Sequence, residues 1–216
     1  MGVPLAPFDS LKLRSGHSGR AFRSIAYADP RHTLAFGTTH AMAKRRSREL
    51  DTEIDELTNS LKEVATGLEM PTEVVRVLTI HQKQIHKRSW LFDWHGELAQ
   101  PKREVYKLTT RAEPDKIQGL ICIEDLGDHV FAHLLESAAH NRGAKKRFHG
   151  VAGNLLAFAG QLSFDKGHAG FVSFVSKHAL IEHYISTLGA KVLRGNRMYL
   201  DTQASSALVD RYFKTN

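Results

Sequence analysis

Cysteine is almost missing from this sequence: Cys122 stands alone among 216 residues. No internal disulfide is available, so stability has to come from packing, and a reducing, cytoplasmic setting is expected. No run approaches the roughly 18 consecutive apolar residues of a membrane-spanning helix. The N-terminus lacks the continuous apolar stretch and small-residue cleavage site of a secretory signal. No membrane partner is expected. Also absent are the nucleophile elbow, the Walker loop and the dinucleotide fingerprint. Thirteen histidines are present, but His129 and His133 would stand roughly 13 Å apart on a strand, too far for one ion. No metal site is predicted.

The basic charge is unevenly spread. The chain carries a net +7, of which residues 1–49 supply +6. The rest is close to neutral. Lys44, Arg45, Arg46 and Arg48 form the densest cluster. Residues 44–48 could touch nucleic acid or another anionic surface, and a solvated tail is the commoner reading of such a run.

Residues 1–41 have no sustained period and are broken by Pro4, Pro7, Pro30 and several Gly and Ser. They read as poorly ordered, and Met42 looks more like an ordinary protein start. Leu50, Ile54, Leu57, Leu61, Val64 and Leu68 then follow at gaps of 4, 3, 4, 3 and 4. That seam predicts an amphipathic helix. It is too short for a sustained coiled coil, so packing on its own domain is favoured over a homodimer contact. The predicted organisation is a basic leader at 1–46, a helical appendage at 47–70 and an α/β domain at 71–216.

Within that domain, residues 74–78 are a β-branched strand. Trp90, Phe92 and Trp94 suit a strand or an aromatic plug under a loop. Residues 104–110, 118–124 and 129–136 predict an antiparallel meander, with Leu126-Gly127-Asp128 as a hairpin turn. The period changes at Val151, Leu155, Phe158, Ala159 and Leu162, one stripe of a helix. A strand at 170–176, a helix stopped by Gly189, a hairpin around Arg194-Gly195-Asn196 and a helix capped by Thr202 complete the chain.

The chemistry concentrates where the third meander strand leads into the long helix. Arg147-Phe148-His149-Gly150-Val151-Ala152-Gly153-Asn154 combines a cation, small residues and a helix start. Small residues let phosphate oxygens approach backbone amides, and the helix N-terminus adds oriented donors and partial positive charge. Glu136 closes the strand before it. His133 shares that strand with opposite parity, so only one of the two is expected to face a cleft.

This stretch fits the R-x-x-G-x-A pyrophosphate loop of the GNAT acyltransferases, and the order of elements around it resembles the GNAT core. Tyr184-Ile185-Ser186-Thr187-Leu188-Gly189-Ala190-Lys191 resembles a helix end of that superfamily. More closely, residues 47–214 resemble a family of bacterial GNAT-like proteins. Their wording is echoed in Ile54-Asp55-Glu56-Leu57-Thr58-Asn59-Ser60, Trp90-Leu91-Phe92-Asp93-Trp94, Leu180-Ile181-Glu182-His183-Tyr184 and Arg197-Met198-Tyr199-Leu200-Asp201.

The resemblance implies a mostly antiparallel sheet flanked by helices and an acyl-CoA cosubstrate, acetyl-CoA first. It implies transfer of the acyl group to a primary amine. Arg147, His149, Gly150, Val151, Ala152, Gly153 and Asn154 would bind the cosubstrate. Glu136 or His133 would take the ammonium proton, and Tyr184 would protonate the leaving thiolate. Two features depart from the family: residues 137–146 intervene before the loop arginine, and Tyr184 lies five residues before Gly189 instead of four. The second departure is a turn of about 100° on a helix. A non-catalytic CoA-binding module and a nucleic-acid-associated protein are the alternative readings.

Overall fold

β-Branched and apolar side chains alternate along residues 103–137, and in the computed structural model this stretch is the middle of a seven-stranded sheet. The structure describes residues 48–58 and 60–213. The leader expected at 1–46 lies outside them. In chain order the elements are β1 (Leu61–Glu63), β2 (Glu69–Met70), β3 (Thr72–Val77), α1 (Trp94–Leu98), β4 (Arg103–Thr110), β5 (Gly119–Asp125), β6 (Val130–Ser137), β7 (Phe148–His149), α2 (Val151–Asp165), β8 (Val172–Val175), α3 (Ile181–Leu188), β9 (Lys191–Arg194), β10 (Arg197–Leu200) and α4 (Thr202–Phe213). The main sheet has the order β3-β4-β5-β6-β8-β10-β9, and β1, β2 and β7 form a small second sheet. Neighbours in the main sheet run antiparallel except β6 and β8, which are parallel. The class is therefore mixed α/β, with a mostly antiparallel sheet flanked by helices.

Alternation along β5 divides the core between the two faces of the sheet. Ile121 and Ile123 join the larger core with Leu155 and Leu156 of α2, Tyr184 and Leu188 of α3, and Leu208 of α4. Leu120 and Cys122 face the other way, into a smaller core with Val77, Val105, Leu134 and Trp94. Of the two readings of residues 90–94, the aromatic plug is the one that forms. Trp94 is buried and meets Trp90 edge-on at 6.2 Å. Asp93 caps the short helix that follows by accepting from the Gly96 amide at 3.2 Å. The Cys122 thiol is fully buried and donates to Glu97 Oε2 at 3.6 Å. Burial pushes it well above the usual thiol range, and the Glu97 charge adds to the effect.

Three expectations are corrected. Among the described residues of 50–68 there is no helix: residues 51–58 are irregular, and β1 begins at Leu61. Asp51, Glu53 and Asp55 alternate with Thr52 and Ile54, a period of two that holds the acids outward when the chain is extended. Leu50, Ile54 and Leu61 are buried in the larger core, so this segment belongs to the domain and the boundary at 71 falls away. Second, β6 carries a bulge. Cys122 pairs with Leu134 and Ile123 with Ala132, which leaves His133 as the extra residue. The bulge resets the alternation and turns His133 toward the face that Glu136 occupies. Third, Asp201 caps α4 by accepting from the Ala204 amide at 3.0 Å, while the Thr202 hydroxyl donates to the Ala169 carbonyl.

Candidate functional site

The site starts from a gap in the sheet. β6 and β8 pair only over Val130–Ala132 and Val172–Phe174, yet β6 runs on to Ser137. Past Ala132 the two parallel strands have no direct pairing. Residues 50–54 fill the gap. Leu50 bridges to Ser176 in parallel, with its amide donating to the Val175 carbonyl at 2.7 Å. The Thr52 hydroxyl donates to the Leu135 carbonyl of β6 at 3.1 Å. The Ile54 amide donates to His183 Nε2 at 2.9 Å.

Beside this gap, α2 begins. Gly150 has φ +88° and precedes the first helical residue, which places it in the left-handed region that glycine enters freely. A Cβ there would strike Thr58 Oγ1 and approach the Ser60 carbonyl at 3.0 Å. A Cβ on Gly153 would meet the Tyr212 hydroxyl and Leu57. The small residues of the loop thus admit a close approach, and Leu57, Thr58, Ser60 and Tyr212 make it.

An anion is already held at this helix start. Asp55 Oδ1 accepts from the Gly150 amide at 3.0 Å and from the Glu56 amide at 2.9 Å. Its Oδ2 accepts from Lys146 Nζ at 3.0 Å and lies 3.3 Å from His149 Nδ1, without the angle of a hydrogen bond. Burial opposes ionisation of Asp55, but the Gly150 amide, Lys146 and the Glu56 amide together hold its carboxyl below the usual range.

The other predicted cosubstrate residues are placed as follows. Arg147 Nη1 donates to Glu113 at 2.6 Å, its Nε lies 3.5 Å from Glu63, and its guanidinium covers the Phe148 ring at 4.7 Å. Val151 and Ala152 are buried. Asn154 is fully buried, donates to Thr72 Oγ1 at 3.0 Å and leaves Oδ1 without a partner.

A cleft of about 270 Å³ opens at the end of β6, lined by Asp51, Glu53, Leu91, Glu136, Arg142 and Lys146 among others. Glu136 is 2 % exposed and accepts from four donors: the Leu91 amide at 2.7 Å, the Phe92 amide at 3.3 Å, Trp94 Nε1 at 2.8 Å and Arg142 at 3.2 Å. The intervening residues 137–146 thus return Arg142 to the strand end. His133 pairs with Glu124 at 2.8 Å and meets the Phe131 ring at 4.6 Å. Burial lowers its pKa, against the pull of Glu124. Tyr184 is buried, donates to the Thr52 carbonyl at 2.7 Å and packs edge-on against Phe174 at 5.5 Å. Burial raises its hydroxyl well above the usual phenol range.

The structure therefore gathers Gly150, His149 and the helix start around Asp55, and sets Glu136 at the neighbouring cleft. His133, Arg147 and Tyr184 are held elsewhere by partners of their own. Asp55, Thr58 and Tyr212 escaped the sequence reading as parts of a site, whereas Lys146 could be read as a nearby cation of the loop. The alternating acids at 51, 53 and 55 are the signal that could have found the first of them.

A comparison with protein-family models finds none that matches the chain, and a comparison with curated proteins finds no match either. Among the described residues, no helix is long and apolar enough to cross a membrane. No group of three or more His, Cys, Asp or Glu among them could hold a metal ion.

Proposed function

We propose that this chain is an acyl-CoA-dependent N-acyltransferase, moving an acyl group, acetyl in the first instance, to a primary amine. One observation carries the reading: a parallel strand pair that parts past Ala132, beside a helix that starts on a glycine in the left-handed region. The gap, occupied by residues 50–54, has strand-edge groups of the kind an extended ligand uses, and the helix start has an amide that already holds an anion. The residues fit the cosubstrate in kind. Gly150 admits a close approach that a Cβ would block, and Lys146 and His149 converge on a carboxylate there. On this reading the CoA pyrophosphate lies on residues 147–154, the thioester in the β6–β8 gap, and the amine enters through the cleft beside Glu136.

A second reading, a non-catalytic CoA-binding module, is favoured by the engagement of the expected catalytic groups. Glu136 is surrounded by four donors, and the Tyr184 hydroxyl is bound to a backbone carbonyl. Calorimetric titration with acetyl-CoA, followed by assay of CoA release over a panel of amines, separates the two. Binding with release supports the transferase. Binding without release from any amine supports the module. No binding in wild type and in Asp55→Asn alike rejects both.

A further inference from the structure

Residues 50–58 fill, with the chain's own atoms, both places the acyl-CoA reading assigns to the cosubstrate. Leu50 and Thr52 lie in the β6–β8 gap, bonded to Val175 and Leu135, and the Ile54 amide is tied to His183 of α3. The Asp55 carboxylate takes the Gly150 amide and Lys146, where a phosphate would. Thr58 stands against Gly150 and Leu57 against Gly153, over the small residues that would admit a ligand. An extended strand followed by an anion on a helix start is also the shape of pantetheine followed by pyrophosphate. We infer that residues 50–58 are a strap that occupies the acyl-CoA site from within the chain, so that the site opens only when the strap leaves and Asp55 gives up its place to a phosphate. This rests on the acyl-CoA reading above.

Within residues 50–58, Leu50, Ile54 and Thr58 are buried, Asp51, Glu53 and Glu56 are exposed, and the Asp55 side chain keeps 17 % of its surface open. The strap's remaining grip is polar: the backbone bonds at Leu50, the bonds at Thr52, Ile54 and Asp55, the Lys177–Asp51 ion pair, and the Tyr184 and Arg211 donors to the Thr52 and Leu57 carbonyls. A site competent only part of the time binds with an affinity reduced by that fraction. Weakening the strap should then tighten binding, and locking it should abolish binding.

Leu50 and Ser176 are bridge partners, at a strand spacing of about 4.8 Å that a disulfide can span. The test uses the full chain as wild type, Asp55→Asn, and the double variant Leu50→Cys with Ser176→Cys. Acetyl-CoA is titrated into each, the double variant both oxidised and reduced, because the acylated sulfur cannot open the engineered disulfide. Hydrogen exchange of residues 50–57 is followed with and without acetyl-CoA, and circular dichroism confirms folding. We expect Asp55→Asn to bind about tenfold more tightly than wild type. The oxidised double variant should lose at least tenfold relative to its reduced form, and acetyl-CoA should speed exchange in residues 50–57. Equal affinity of the oxidised and reduced forms, or slowed exchange on binding, would overturn the strap while leaving the acyl-CoA reading in place. Absence of binding in wild type, Asp55→Asn and the reduced double variant alike would overturn that reading, and the strap with it.

Discussion

Glu136 and Asp55 each gather donors from a segment distant in the chain, but in different surroundings. Glu136 is sealed, its side chain 2 % exposed, and it joins the 90–94 loop and Arg142 to the end of β6. Asp55 sits nearer the rim, with its side chain 17 % exposed, and joins residues 50–58 to the start of α2. Removing the first would strand the buried Trp94 indole and leave the Leu91 and Phe92 amides and the 31 % exposed Arg142 without their shared acceptor. Removing the second leaves donors that solvent or another anion can reach. The same chemical group thus serves as a permanent tie in one place and an exchangeable one in the other.

The largest effect that could break this contrast is at Glu136. Glu136→Ala should lower the unfolding free energy by about 3–5 kcal/mol, the cost of removing one partner from a buried charged network. Urea denaturation measures it, and a loss below about 1 kcal/mol would mean the tie is not permanent. Next comes Gly150→Ala, which combines a left-handed backbone with a collision at Thr58. It should cost about 2–3 kcal/mol. Adding Thr58→Ala should recover the steric part in a double-mutant cycle.

Asp55→Asn should cost only about 1 kcal/mol at pH 7, in the range of a lost helix cap. Because the folded-state pKa of Asp55 is depressed, its contribution is complete above the unfolded value of about 3.9 and fades as pH falls through the folded value. Wild type and variant should therefore differ at neutral pH and converge in strong acid. Unfolding curves at several pH values would show this, and a pH-independent difference would remove the charge from the argument. The smallest effect is expected for Tyr212→Phe. The Tyr212 hydroxyl is buried beside Thr58 with no partner of hydrogen-bond geometry, and burial pushes its pKa up to about 12, partly offset by Thr58. Removing it should change stability by about 0.5 kcal/mol or less, and a larger loss would place it in a real hydrogen bond.

The meander, α2 and the terminal hairpin were legible because their patterns are local: β-branched alternation in one case, a helical stripe in another, glycine between two short strands in the third. Residues 50–58 misled because two periods coexist there. Leu50, Ile54 and Leu57 fit a helix, while Thr52 and the acids at 51, 53 and 55 fit an extended chain. The tertiary setting decided between them, since the gap beside β8 supplies backbone partners a helix would not need. The special backbone at Gly150 was readable from residue types. That Thr58 and Ser60, from a segment about ninety residues away, would be the close neighbours was not. Nor could spacing announce the bulge at His133, because one extra residue in a strand leaves no mark on composition. Four partners around Glu136 likewise come from contacts between elements, which a strand-end glutamate does not reveal by itself.

Cys122 turns the middle of the sheet into a clock. Its thiol is enclosed between β4 and β6 on the α1 face and is held protonated by burial, so a thiol-reactive probe meets no nucleophile while β5 stays in place. Labelling can proceed only during openings that expose this strand. At high probe concentration the labelling rate becomes the rate of opening itself, and at low concentration it reports how often the open form is populated. A single residue, read by mass spectrometry, would then time the loosening of the central strands without any engineered label.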